Sequence, residues 1–212
     1  MKAILQNLAR RFGVELLPAW QLADLGLARH LQKVFQRYNI QQVIDIGTNG
    51  GAYGEFLRLE VAYPFSILSY EAKIEEFRQL SMRSAGDQKW QSTLCEEQEE
   101  SAYNALDKLA EIALPLPEGI GRMLKLDTQH LDFDVLDGAN NTLQIISCLQ
   151  LEIALPQTGN RASIIADTVG KLDQKGFTLS GLFPVVVDDR LCTKSFDCVF
   201  LPTASLCPTE RG

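Results

Sequence analysis

The segment VIDIGTNGGAYGEFL, residues 43–57, brings an acidic residue and several glycines to the end of a short apolar run. Asp45, two residues before Gly47, places a carboxylate where a strand gives way to a turn. Gly47 and Gly51 let the backbone turn tightly and approach a ligand closely. Strand, glycine turn and helix in that order form a cofactor-binding layout. A dinucleotide site prefers GxGxxG, with the pyrophosphate on the helix N-terminus, but here Asn49 holds the middle position. A carboxylate at this turn favours a ligand that lacks phosphate and carries positive charge. The sulfonium and amine of S-adenosylmethionine meet that description, and the plainer alternative is a glycine turn of an ordinary α/β sheet.

Two further acidic positions fall at strand ends. ILSYEA (67–72) ends on Glu71, about one βαβ unit after the glycine turn, where a carboxylate can accept hydrogen bonds from two ribose hydroxyls. Taken alone, Glu71 reads equally well as a helix N-terminal charge. In LKLDTQHLDFDVLDGA (124–139), Asp127 ends a fourth strand beside the glycine turn. Methyl transfer is an in-line displacement, so a protein must align the acceptor and help remove its proton. Asp127 is the expected base or orienting group. His130, three residues on, is a second candidate base, with a packing or surface role as the alternative.

Seven short apolar runs supply the strands that must position these residues: 41–47, 64–71, 89–96, 122–129, 145–153, 178–187 and 196–202. Helical patterns separate most of them, which predicts a mostly parallel sheet covered on both faces. In the last helical stretch, apolar residues at 164, 165, 169 and 172 share one face, and Gly176 stands where a C′ residue belongs. The final two strands have only VDDRLCTKS between them, too short for a crossover helix. They are expected to form an antiparallel hairpin turning at Asp188 and Asp189. The expectation is therefore a Rossmann-like α/β fold with a seven-stranded sheet. It spans 40–202, after a helical extension over 1–39 and before a flexible tail over 203–212.

Composition narrows the partners. Twenty-seven acidic against twenty basic residues give a net charge of −7, which opposes binding to nucleic acid or anionic membrane. The opening residues lack the apolar core and cleavage site of a secretion signal. Five cysteines form no CxxC pair, which points to reduced thiols and a cytoplasmic location. With only His30 and His130 available, no metal site is expected. Cys148, Cys192 and Cys198 read as small hydrophobes, and Trp20 and Trp90 as packing anchors.

From about residue 40 to 201 the chain resembles the FkbM-type methyltransferase family. The likeness is carried by VIDIGTNGGAYG, by SYEA where the family has phenylalanine-glutamate-proline, by LKLDTQHLDFDVLDGA, by LQLEIAL and by FDCVFLP. The resemblance implies an S-adenosylmethionine-dependent enzyme that methylates hydroxyl oxygens of small molecules or glycans. It implies that Asp45, Gly47, Asn49 and Gly51 surround the methionine part, Glu71 the ribose and Glu96 the adenine, with Glu152 bordering the acceptor.

Three departures bear on activity. His130 stands where the family has glycine, only EEQEESAYN (96–104) separates the third strand from ALDKL, and PQTGN (156–160) replaces a proline-leucine-tyrosine-like turn. They keep open a second reading, a degenerate member that serves as a cofactor-binding or regulatory module. An NAD-dependent oxidoreductase is disfavoured by Asn49 and by the terminal hairpin. A homodimer is compatible with either main reading.

The carboxylates at 127, 132 and 134 lie on a strand end and helix start without a preformed oxygen cage. The melting temperature is therefore expected to be the same with and without a chelator. A chelator-induced drop restored by magnesium or zinc would count against this.

Overall fold

The computed structural model describes residues 25–95, 116–127, 140–156 and 161–206. Within them, α1 (Leu25–Arg37) leads into β1 (Ile40–Ile46). A 3-10 turn, Asn49–Gly51, then opens α2 (Ala52–Leu59). The chain continues through β2 (Ser66–Glu71), α3 (Ile74–Ser84), β3 (Trp90–Leu94), β4 (Gly121–Leu126), α4 (Asn140–Gln144) and β5 (Cys148–Ala154). It closes with α5 (Arg161–Gln174), β6 (Phe177–Val187), β7 (Thr193–Pro202) and a 3-10 turn over Thr203–Ser205.

The seven strands form one sheet in the order β3-β2-β1-β4-β5-β7-β6. The pairs among β1 to β5 are parallel, while β7 runs antiparallel to both β5 and β6. This is the expected architecture. From β1 the order runs one way through β2 to β3 and the other way through β4 to β5. The order reverses between β1 and β4, and in open α/β sheets it is at the carboxyl ends of such strands that ligands bind.

Alternation along the strands divides the core into two layers. On one face Val43, Ile67, Trp90, Met123, Cys148 and Val199 pack under α1, α2 and α3. On the other Ile44, Leu124, Leu149, Leu151 and Phe200 pack with Leu143 of α4 and Leu172 of α5. All six residues of β4 are buried, as a strand at the centre of a two-sided sheet must be.

Several boundaries differ from the sequence expectation. The fourth strand ends at Leu126, and the fifth begins at Cys148, because Ile145 closes a turn onto the Thr142 carbonyl (3.1 Å) before the strand can start. α1 buries Leu27, Ala28, Leu31, Val34 and Phe35 in the first core layer, so this part of the expected N-terminal extension is built into the domain. The Thr203 N–H donates to the Gly176 carbonyl (2.8 Å), which ties residue 203 of the expected tail to the corner between α5 and β6. Gly176 ends α5 with φ +83°, as its position predicts. The hairpin turns at Asp188, whose Oδ1 accepts from the N–H groups of Arg190 (3.0 Å) and Cys192 (2.8 Å).

One close approach sets the height of α2 over the sheet. A Cβ at Gly54 would lie 2.0 Å from the Trp90 ring, and that ring is held by its own Nε1–H bond to Ser69 Oγ (2.9 Å). Neither partner has room to yield. Gly54→Ala is expected to cost about 1–3 kcal/mol, the usual range for overpacking a filled core, read as a lower denaturant midpoint with an unchanged slope.

Candidate functional site

Strand register carries a row of polar side chains across the face that α2 covers. Asp45 of β1 pairs with Ser69 of β2 and Lys125 of β4. Ser69 in turn pairs with Ser92 of β3, and Lys125 with Gln150 of β5. Each lies two residues beyond an apolar neighbour: Val43, Ile67, Trp90, Met123 and Cys148. A period of two keeps both rows on one face, so the apolar layer gives way to a polar one along a line perpendicular to the strands. That line lies at the carboxyl end of the sheet, beneath the glycine turn.

The turn is pressed onto this row. Gly47 has φ +74°, and a Cβ there would meet the Asp127 carbonyl oxygen at 2.2 Å. Only glycine permits this approach. Asp127 follows β4 directly, and its N–H donates to the Ile46 carbonyl (2.9 Å), so the ends of β1 and β4 are laced together. Asn49 is exposed, with a left-handed φ of 48°, and Gly51 caps α2 with φ 90°.

Lys125 is the centre of the arrangement. Its side chain is 4% exposed, and Nζ lies 3.0 Å from Asp127 Oδ2, 3.2 Å from the Gly47 carbonyl and 3.6 Å from Asp45 Oδ1. It also stands 4.8 Å above the Tyr53 ring, a cation–π contact with α2. Burial pulls the ammonium's pKa down, but Asp45 and Asp127 outweigh it and hold the group above the ordinary lysine value. Asp45 is fully buried. Burial raises its carboxyl above the usual range, and Lys125 and the Ser69 hydroxyl pull it back. Its Oδ2 accepts from Ser69 (3.2 Å), whereas Oδ1 has no hydrogen-bond donor among the described residues.

On the other side of Lys125 the row continues through amide chemistry. The Tyr53 hydroxyl donates to Gln150 Oε1 (2.6 Å), and Gln150 Nε2 donates to Asp197 Oδ1 (2.9 Å). Asp197 lies on β7, directly opposite Glu152.

Glu71 is buried at the end of β2. Oε2 accepts from the Thr48 N–H (3.2 Å) and Thr48 hydroxyl (3.0 Å), and Oε1 from the N–H groups of Ala72 (3.0 Å) and Lys73 (3.2 Å). Four donors match the roughly four acceptor sites of a carboxylate. Glu71 thus clamps the glycine turn to the end of β2, and ribose hydroxyls would have to replace one or more of these bonds.

Of the residues singled out in the sequence, Asp45, Gly47, Gly51, Glu71 and Asp127 converge on this rim, with Asn49 at its exposed edge. His130 and Glu96 lie outside the described residues, as do the carboxylates at 132 and 134. Sequence reasoning missed Lys125, Tyr53, Gln150 and Asp197. The available signal was a lone polar residue inside an otherwise apolar strand: the lysine of RMLKL and the glutamine of CLQL. A cavity of about 560 Å³ opens at the opposite end of the sheet, lined among others by Leu143, Lys175, Phe177 and Pro202, and contains none of these groups.

No family model matches the chain, and no curated protein matches it. Solved structures do. An rRNA methylase from Streptococcus thermophilus is 14% identical with a TM-score of 0.55, over 89% of this chain and 99% of that one. The N-methyltransferase NodS from Bradyrhizobium japonicum WM9 is 11% identical with a TM-score of 0.53, over 86% and 98%. LepI C52A, solved in complex with SAH and a substrate analogue, is 13% identical with a TM-score of 0.51, over 81% of this chain and 46% of that one. At such identities the likeness establishes the fold, that of Rossmann-like methyltransferases. Another structure of similar likeness is described as a pericyclic reaction enzyme. The fold alone therefore does not dictate the chemistry.

Removing the cation should expose the cost of the buried carboxylates. Lys125→Met is expected to destabilise the chain by about 3–5 kcal/mol near neutral pH, the scale for breaking a buried ion pair from one side. A raised carboxyl pKa favours the folded state while protonated and costs stability as pH rises through it. Burial of Asp45 is then opposed only by the Ser69 hydroxyl among the described residues, so the loss should shrink toward acid pH and grow toward alkaline pH in denaturant titrations. A pH-independent loss would contradict the assignment.

Proposed function

We propose that this chain is an S-adenosylmethionine-dependent methyltransferase of the FkbM type that methylates a hydroxyl of a small molecule or glycan. The observation that carries the reading is the buried Asp45 Oδ1, which has Lys125 at 3.6 Å but no hydrogen-bond donor among the described residues, beneath a glycine turn packed against the end of β4. Around it the carboxylates of Asp45 and Asp127 share one buried ammonium, Lys125, and Asp197 lies on the same face without an ion pair among the described residues, so the rim favours a ligand that brings positive charge. The donor set fits a sulfonium nucleoside better than a pyrophosphate.

When bound, the cofactor supplies a methyl group on a positively charged sulfur. The rest falls to the chain's own residues. The turn over 47–51 and Asp45 would hold the methionine part, and Glu71 the ribose, by exchanging some of its bonds to Thr48, Ala72 and Lys73 for hydroxyls. Lys125 holds Asp127 at the end of β4, which gives the acceptor side a fixed carboxylate. α2, with Tyr53 lying over the row, keeps water from the strand ends and strengthens the electrostatics there. Glu152, one step beyond Gln150 on the same face, borders the acceptor side.

The net charge of −7 speaks against a nucleic-acid acceptor, although some fold neighbours are rRNA methylases. The described cysteines Cys95, Cys148, Cys192 and Cys198 are free thiols, which supports a reducing, cytoplasmic setting. No described helix is long and apolar enough to cross a membrane. A second reading, a binding or regulatory module on the same fold, is favoured by one observation: Glu71 already has four donors of its own.

Titration calorimetry separates the two from a misassigned cofactor. S-adenosylmethionine or its demethylated product is expected to bind in the micromolar range, about −8 kcal/mol, and Glu71→Ala to weaken it. Tight NADH binding with no response to S-adenosylmethionine would refute the cofactor. Binding without transfer to a panel of sugars and hydroxylated small molecules would favour the module.

A further inference from the structure

Asp127 was the expected base, but it is committed to Lys125 at 3.0 Å. Asp197 has different surroundings. The described residues place no cation within ion-pair distance of it. Among the described residues its one hydrogen bond comes from a neutral amide, Gln150 Nε2, on Oδ1. Gln150 is fixed in turn by the Tyr53 hydroxyl, so a helix of one layer and two strands of the sheet determine where the Asp197 carboxylate sits. The antiparallel register sets Asp197 opposite Glu152 on β5 and opposite Phe183 on β6, at the same end of the sheet and on the same face as Asp45 and Asp127.

We propose that Asp197 is the catalytic residue that takes the proton from the acceptor hydroxyl, with Gln150 and Tyr53 as its positioning residues. This rests on the methyltransferase reading above. As the acceptor oxygen's lone pair forms the new bond to the methyl carbon, the carbon–sulfur electron pair leaves with sulfur as a neutral thioether. The hydroxyl proton passes to Asp197, which becomes a neutral carboxylic acid, and the next turnover begins when that proton is lost to solvent.

The electrostatics support this division of labour. Burial pushes the Asp197 carboxyl up to about 6, with the Gln150 hydrogen bond and Lys125 pulling it back and Glu152 and Asp127 adding to the rise. A base with that value is charged at neutral pH and still holds a proton well enough to serve. Other titratable groups coupled to it are Tyr53 on α2 and Cys198, its neighbour on β7. Both are held protonated, their pKa values raised by burial first and by Asp197 itself second. The ion pair of Lys125 with Asp127 is then a fixed electrostatic floor.

Two measurements test the proposal. In the cofactor-free chain, carboxyl-13C aspartate NMR is expected to show a resonance with a midpoint near pH 6 that is missing in Asp197→Asn and present in Asp127→Asn. No such resonance, or its loss in Asp127→Asn instead, would overturn the proposal. With labelled S-adenosylmethionine and the hydroxyl acceptor panel, Asp197→Asn is expected to keep cofactor affinity. It should lose roughly 10²-fold or more in kcat, along with the acid limb of the kcat/KM profile. Tyr53→Phe keeps the ring under Lys125 and should lose only several-fold, with the acid limb displaced. Full turnover in Asp197→Asn overturns the role of Asp197 and leaves the methyltransferase reading standing. No cofactor binding, or binding without transfer, by the unaltered chain ends that reading and the role together.

Discussion

The ammonium of Lys125 holds the carboxyl end of this sheet together. It sits between Asp45 on β1 and Asp127 after β4, reaches the carbonyl of Gly47 in the turn and rests on the ring of Tyr53 in α2. The continuous β1–turn–α2 segment and the end of β4, some 80 positions apart in the chain, are thereby fixed to one charge. Burying such a group is expensive, and an apolar replacement of both partners is often no less stable. Here the arrangement sets a fully buried carboxylate, Asp45, and its cation beside a turn that only glycine can make.

The second constraint is the change from apolar to polar along the strands. Val43, Ile67, Trp90, Met123 and Cys148 close the core under α1, α2 and α3. One residue pair further on, Asp45, Ser69, Ser92, Lys125 and Gln150 continue the same face as a hydrogen-bonding surface. Trp90 belongs to the apolar row, yet through its indole N–H it orients Ser69, which orients Asp45. Packing and positioning are thus joined at one side chain. The antiparallel β7 extends the surface by setting Asp197 beside Glu152, which a further parallel strand would have had to supply from its own carboxyl end.

Much of this was legible in the residues. Seven apolar runs, the helical stretches between them and a linker too short for a crossover gave the sheet and its terminal hairpin. Asp45, Gly47, Gly51 and Glu71 announced themselves by type and spacing, and Asp127 by its place at a strand end. Lys125 and Gln150 were less visible, because a polar residue in an apolar strand reads as an exception until its neighbours are known. Glu71 was visible as a carboxylate but not as one already holding four donors, since Thr48, Ala72 and Lys73 reach it only when the turn folds over β2.

The sequence by itself determined the fold class and the identity of the glycine turn, because hydrophobic period and backbone freedom are local properties. Tertiary structure alone decided which charges face one another. Asp45, Lys125, Gln150 and Asp197 are separated by 80, 25 and 47 positions in the chain, and their partnership follows from strand order and register, which no local pattern encodes. That Asp127 is taken up by Lys125 while Asp197 is held by a neutral amide is likewise a consequence of those pairings, since an ion pair or a shifted carboxylate is set by the distance to its neighbours and by the water excluded around it.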